Sequence, residues 1–133
     1  MAPAASVPTV DIEQGQITYA STCAEPLAAE LIPLVPEWAK DQGFQGNEQA
    51  LAGARLFAES GCLNCHTYLG QGNGILGAPN LSEIGKTNDA SFFVTYITNP
   101  AQFGNRVMGS YAYLGQQNMQ ALGAFLAASD GPK

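Results

Sequence analysis

Charge is scarce in this chain. Only 12% of its 133 residues are Asp, Glu, Lys or Arg, and only 5 are basic. So few cations leave no patch to neutralise phosphates, which argues against nucleic acid as a partner. Long apolar runs are missing too. None approaches the roughly 18 residues of a membrane span, and the chain as given is expected to be soluble. Nor does the start look like a secretory signal, because Met1 to Ser6 is short and Asp11 and Glu13 soon follow. Histidine occurs once and cysteine three times. That excludes the separated pairs of Cys and His that most structural zinc sites require. What remains is a chain with 46% hydrophobic residues and the length of one domain.

The feature that stands out is Cys62-Leu63-Asn64-Cys65-His66. Two cysteines three apart, with histidine directly after the second, have the spacing that attaches a c-type haem. Two thiols on one tight turn can form thioethers to the two porphyrin vinyl groups. The adjoining His66 is then carried under the ring, where an imidazole nitrogen can ligate iron. Two rival readings are weaker. A zinc site has no second Cys-x-x-Cys pair to complete it, and a redox dithiol calls for a surrounding βαβ pattern that is absent.

A second iron ligand would come from methionine. Met1 lies at the end of a polar tail. Met119, Leu122 and Leu126 recur at i, i+3 and i+7, the apolar face of a helix, which makes Met119 a packing residue. Met108 instead sits in Gly104-Asn105-Arg106-Val107-Met108-Gly109-Ser110, an aperiodic loop flanked by glycines. It is the better ligand.

With these features in place the chain resembles the class I cytochromes c, small single-haem electron carriers, over residues 48 to 128. Gly53-Ala54-Arg55-Leu56-Phe57 followed by Gly61 and the Cys-x-x-Cys-His motif is similar to the family's first helix running into its haem site. Ala78-Pro79-Asn80-Leu81 is similar to the segment whose proline carbonyl accepts a hydrogen bond from the ligand histidine. Residues 91–100, closing in Asn99-Pro100, resemble the middle helix; Met108, Tyr111, Leu114 and residues 122–126 resemble the methionine loop and final helix. One position departs: the family often has proline straight after the methionine, and Gly109 stands here, so the loop is expected to be more mobile.

The resemblance implies an all-α cytochrome c fold, three to four helices around one covalently attached haem c. It implies Cys62 and Cys65 as attachment points, His66 and Met108 as iron ligands, and Pro79 as the partner of His66. The implied function is one-electron transfer between respiratory or photosynthetic partners, namely an oxidase, a quinol-oxidising complex or a reaction centre. The chain would be a carrier rather than an enzyme, and could serve as a subunit of a larger membrane complex. The alternative is a haem enzyme or gas sensor with a labile sixth ligand. Because the family's haem is attached outside the cytoplasmic membrane, the implied location is extracytoplasmic: the bacterial periplasm or the membrane's outer face. Met1 to Ala5 is then expected to follow a removed export signal or anchor.

The residues divide the chain into an N-terminal extension, 1–47, and a haem domain, 48–133. The charge divides with them. Residues 1–50 carry seven acids against Lys40, a balance of −6, whereas residues 51–133 carry four acids and four bases and are neutral. Prolines at 3, 8, 26, 33 and 36 allow only short helices in the extension, one expected over Leu27 to Ile32. Leu31, Ile32, Leu34, Val35 and Trp38 are too apolar for a free linker, so this arm is expected to pack on its own domain and on a partner. Residues 15–24 read like the lead-in to a second haem motif, but Pro26 and Leu27 stand where its second cysteine and histidine would be. Cys23 reads as a semi-buried or free thiol. Further helices are expected from Asn47 or Glu48 to Ser60, from Asp89 to Thr98, and through residues 117–126. A glycine inside a helix needs a reason, and the resemblance supplies one for Gly53: in that family the first and last helices cross closely there, and Gly123 has the same look. The glycine-dense run 70–77 is expected to be an irregular loop against the haem.

Overall fold

The computed structural model describes residues 28–133; Cys23, the run 15–24 and the start of the chain lie outside it. The described fold is built on the crossing of two helices, α3 (Glu48–Glu59) and α5 (Gln116–Ala128), with α4 (Ala90–Thr98) packed along α5. Ahead of them, α1 (Ala28–Leu31), a 3-10 turn (Ile32–Leu34) and α2 (Val35–Gln42) make a jointed helical segment. It runs on past the Ile32 end expected from sequence, because Pro33 and Pro36 each fall in a first turn, where a missing N–H costs nothing.

Local chemistry sets the helix starts. Asn47 caps α3 by accepting from the Ala50 amide at 3.0 Å, and Asp89 caps α4 by accepting from the Phe92 amide at 3.0 Å. The α3–α5 crossing is close because Gly53 has no side chain. A Cβ there would come within 2.6 Å of the Ala121 carbonyl carbon and 2.8 Å of the Phe125 Cβ. Gly123 behaves differently from the expectation. Its Cβ would meet the Ala90 carbonyl oxygen at 2.8 Å and Val94 Cγ2 at 2.9 Å, so it lets α4, not α3, approach α5. The two glycines thus serve different contacts of α5: Gly53, on α3, permits the α3 crossing, and Gly123, on α5 itself, permits the approach of α4.

The core is aromatic. Phe57, Tyr68 and Phe125 have ring centroids 5.0–5.5 Å apart, and Trp38 lies edge-on to Tyr68 at 5.0 Å. Phe44 closes the cluster against Phe125 at 5.7 Å. Leu31, Val35, Trp38, Ala39 and Phe44, all from the segment preceding residue 48, are therefore in the same core as α3 and α5. The buried Tyr68 hydroxyl is satisfied by Ser129 Oγ at 2.8 Å. Met119 is buried in this core, as its helical spacing predicts.

The glycine-dense run is more regular than expected. Strands β1 (Thr67–Tyr68) and β2 (Gln71–Gly72) pair antiparallel around Leu69 and Gly70, both at positive φ. Two positive-φ residues in a two-residue turn match the right-handed twist of a hairpin. Among the described residues no helix is long and apolar enough to cross a membrane.

Candidate haem site

Helix α3 stops at Glu59, and the chain turns through Gly61 at φ 80°, a left-handed conformation that glycine adopts without strain. Residues 62–64 then form a 3-10 turn. The Cys62 carbonyl accepts from the amides of Cys65, at 3.3 Å, and His66, at 3.0 Å. The turn is thus closed twice over the five motif residues, bringing Cys62, Cys65 and His66 together. Leu63, on the same turn, is buried in the core and fixes the turn to the body of the protein.

The following loop backs this turn with main-chain bonds. The Asn73 amide donates to the Leu63 carbonyl and the Ile75 amide to the Cys65 carbonyl, each at 3.0 Å. Gly72 makes this approach possible. It has φ 97°, and a Cβ there would collide with the His66 carbonyl oxygen. Beyond it, Leu81 donates to the Thr67 carbonyl at 2.8 Å and so draws residues 78–81 alongside the histidine. Pro79 ends up with its carbonyl oxygen 2.8 Å from His66 Nδ1. A carbonyl oxygen only accepts, so Nδ1 must carry the proton, and in the neutral imidazole Nε2 is left bare.

Cys62 and Cys65 are both half-buried and are not bridged to each other. Burial, with the neighbouring Cys65 adding to it, pushes the Cys62 thiol up to about 12 despite an opposing main-chain hydrogen bond. Exchange dithiols are activated by a lowered pKa, so this thiol is poorly suited to redox exchange. Among the described residues no group of three or more His, Cys, Asp or Glu side chains is arranged to hold a metal ion by itself. What the turn does offer is two adjacent thiols and an oriented imidazole, the donor set that a covalently held haem takes from one side.

Met108 lies half-buried at the edge of the core. Its loop leaves α4 through a 3-10 turn (Pro100–Phe103) and returns along the helix end. There the Ser110 hydroxyl donates to the Thr98 carbonyl at 2.7 Å and the Tyr111 amide to the Ile97 carbonyl at 3.0 Å. The Tyr111 side chain continues to the haem turn, its hydroxyl 3.5 Å from the Ser60 carbonyl. Burial raises the Tyr111 phenol above its usual range, and the Cys62 and Cys65 thiols beside it push in the same direction. The methionine loop and the cysteine turn are therefore neighbours. Sequence reasoning singled out Met108 and, through the resemblance, Tyr111, but not Asn105 and Ser110, which also fasten the loop. An Asn three positions ahead of a loop residue is the available signal for such a fastening.

A family model described as cytochrome C oxidase, cbb3-type, subunit III matches residues 48–126. The chain belongs to this family. It is a class I c-type cytochrome domain, and the cofactor of such a cytochrome is a covalently bound haem c with its iron. Cytochromes of this kind are electron carriers. No curated protein and no solved structure matches the chain.

Proposed function

We propose that this cytochrome carries single electrons through a haem that Cys62 and Cys65 would hold and whose iron His66 Nε2 and Met108 Sδ would ligate. The observation that carries this reading is the 2.8 Å contact between His66 Nδ1 and the Pro79 carbonyl, on the turn that also presents both thiols. When bound, the haem supplies a reversible one-electron couple, whose potential a methionine ligand raises. The chain's part is to orient the imidazole through Pro79, to shield the site with residues 71–81, and to keep the sixth position filled. With that position filled, small molecules cannot bind without displacing Met108, which favours the carrier over the peroxidase or gas sensor.

The site is proposed to work outside the cytoplasmic membrane, within or beside a respiratory oxidase complex. The description of the matched family supports that form over a free shuttle. Its donor would be a quinol-oxidising complex or another cytochrome and its acceptor the oxidase; a photosynthetic reaction centre is the less supported acceptor. The side chains of residues 51–133 balance to zero charge, so association should depend little on ionic strength. Carbon monoxide added to the ferrous protein tests the filled sixth position. Wild type should not bind it, whereas Met108→Ala should bind it and show a lower reduction potential. Rapid uptake by wild type would overturn the reading in favour of an open haem.

A further inference from the structure

We propose that Asn105 is the positioning residue that holds Met108 over the haem, a role that rests on reading Met108 as the sixth ligand. Asn105 uses its whole amide in this loop. Its Oδ1 accepts from the amides of Val107, at 3.0 Å, and Met108 itself, at 3.1 Å. Its Nδ2 donates to the Tyr96 hydroxyl on α4 at 3.0 Å, and its main-chain N–H donates to the Pro100 carbonyl at 3.1 Å. One side chain thus ties the backbone of the ligand residue to a helix packed against the core.

Among the described residues no other side chain on that side is seen to do so. Val107 is 66% exposed, and Gly109 has no side chain and no neighbour within 4 Å of where one would begin. The restraint that a proline after the methionine would give is missing. The far side of the loop is pinned only from Ser110 onward, where Ser110 and Tyr111 bond to the end of α4. Tyr96 is a firm anchor, since its ring stacks on Phe103 with centroids 5.1 Å apart and lies 5.8 Å from Phe92. Without Asn105, the Met108 amide and the Tyr96 hydroxyl lose their mutual bridge, and the loop can swing away with its sulfur.

The consequence is read as competition for iron. An external ligand binds only to the fraction of molecules in which Met108 is displaced, so its apparent affinity reports that fraction. The experiment titrates imidazole into the ferric, haem-loaded protein and follows the far-red charge-transfer band of methionine-ligated haem. Asn105→Ala removes three side-chain hydrogen bonds, and with each at the low end of ordinary net strength the loss corresponds to an increase of about tenfold in apparent imidazole affinity. Asn105→Asp keeps an acceptor for both amides, and the Tyr96 hydroxyl can turn to donate to its second oxygen, so it should stay close to wild type. Tyr96→Phe, which leaves the Oδ1 bonds in place, should fall between and carries the test should Asn105→Ala fail to fold. Gln42→Ala, which weakens the fold far from this loop, should leave the affinity unchanged. The inference is overturned by unaltered affinity in Asn105→Ala and Tyr96→Phe, or by an equal rise in Gln42→Ala. Absence of the far-red band in wild type would instead remove the Met108 reading on which it stands.

Discussion

Gln42 is fully buried and leaves no part of its amide unused. Its Nε2 donates to the Ser82 carbonyl at 2.7 Å and its Oε1 accepts from the Gly131 amide at 2.8 Å. Lys133 donates to the Gln42 carbonyl from its ammonium, at 3.0 Å, and to the Asp41 carbonyl from its main-chain N–H, at 2.9 Å. One side chain therefore joins the end of α2, the loop beyond Pro79 and the C-terminus. Gln42→Leu would orphan the half-buried Ser82 carbonyl and the buried Gly131 N–H, and should lower stability by about 2 kcal/mol in chemical unfolding. The sequence could not reveal this residue, because its partners lie 40 and 89 positions away. Cys62, Cys65 and His66 were legible for the opposite reason: their grouping is a matter of spacing on one turn. Pro79 lies between these cases. It is thirteen residues from His66, and only the family resemblance pointed to it. Met108 was separated from Met119 by periodicity alone, whereas the fastening of its loop by Asn105 depends on a helix nine residues upstream.

At the level of elements, capping and periodicity gave α3, α4 and α5 to within a residue or two at most of their ends. The α3–α5 crossing was readable from Gly53, an otherwise unfavourable residue inside a helix. Gly123 looked equivalent, but which neighbour a small residue faces is a tertiary fact. Gly53→Val forces a side chain into the Ala121 carbonyl, and overpacking of this kind costs about 1–3 kcal/mol or more. The variant should melt at lower temperature and retain less haem; an unchanged melting temperature would refute the crossing. Helix α4 adds a pH dependence. The Asp89 carboxylate is held below its usual range chiefly by the Phe92 amide, then by the Ser91 hydroxyl. A carboxyl whose folded pKa is depressed stabilises the fold above the unfolded value and loses that contribution as pH falls through the folded one. Wild type should therefore lose more stability below about pH 4 than Asp89→Asn, which can still cap but does not titrate. Parallel acid unfolding curves for the two would contradict this. The short hairpin 67–72 was missed because its turn places Leu69, not an Asn or Asp, beside Gly70 at positive φ.

Over the whole molecule one apolar core dominates: the aromatic cluster of Trp38, Phe44, Phe57, Tyr68 and Phe125 lies at its centre, and Cys62 and Met108 pack at its edge. The apolar residues 31–38 announced that the extension must pack on something, and composition alone could not say on what. In the structure, residues 31–44 cover the α3–α5 crossing and complete the core. Trp38→Ala is expected to cost about 3–5 kcal/mol, and a chain starting at residue 45 should lose haem readily on heating. A truncated chain that melted like the full one would show this cover to be dispensable. The central claim is narrower: an iron held between the imidazole at 66 and the thioether at 108. Its most direct test is the far-red absorption of the ferric protein, compared between wild type and Met108→Ala. The account predicts the methionine–iron band in the first and none in the second; a wild type without that band, or a variant that keeps it, would contradict it.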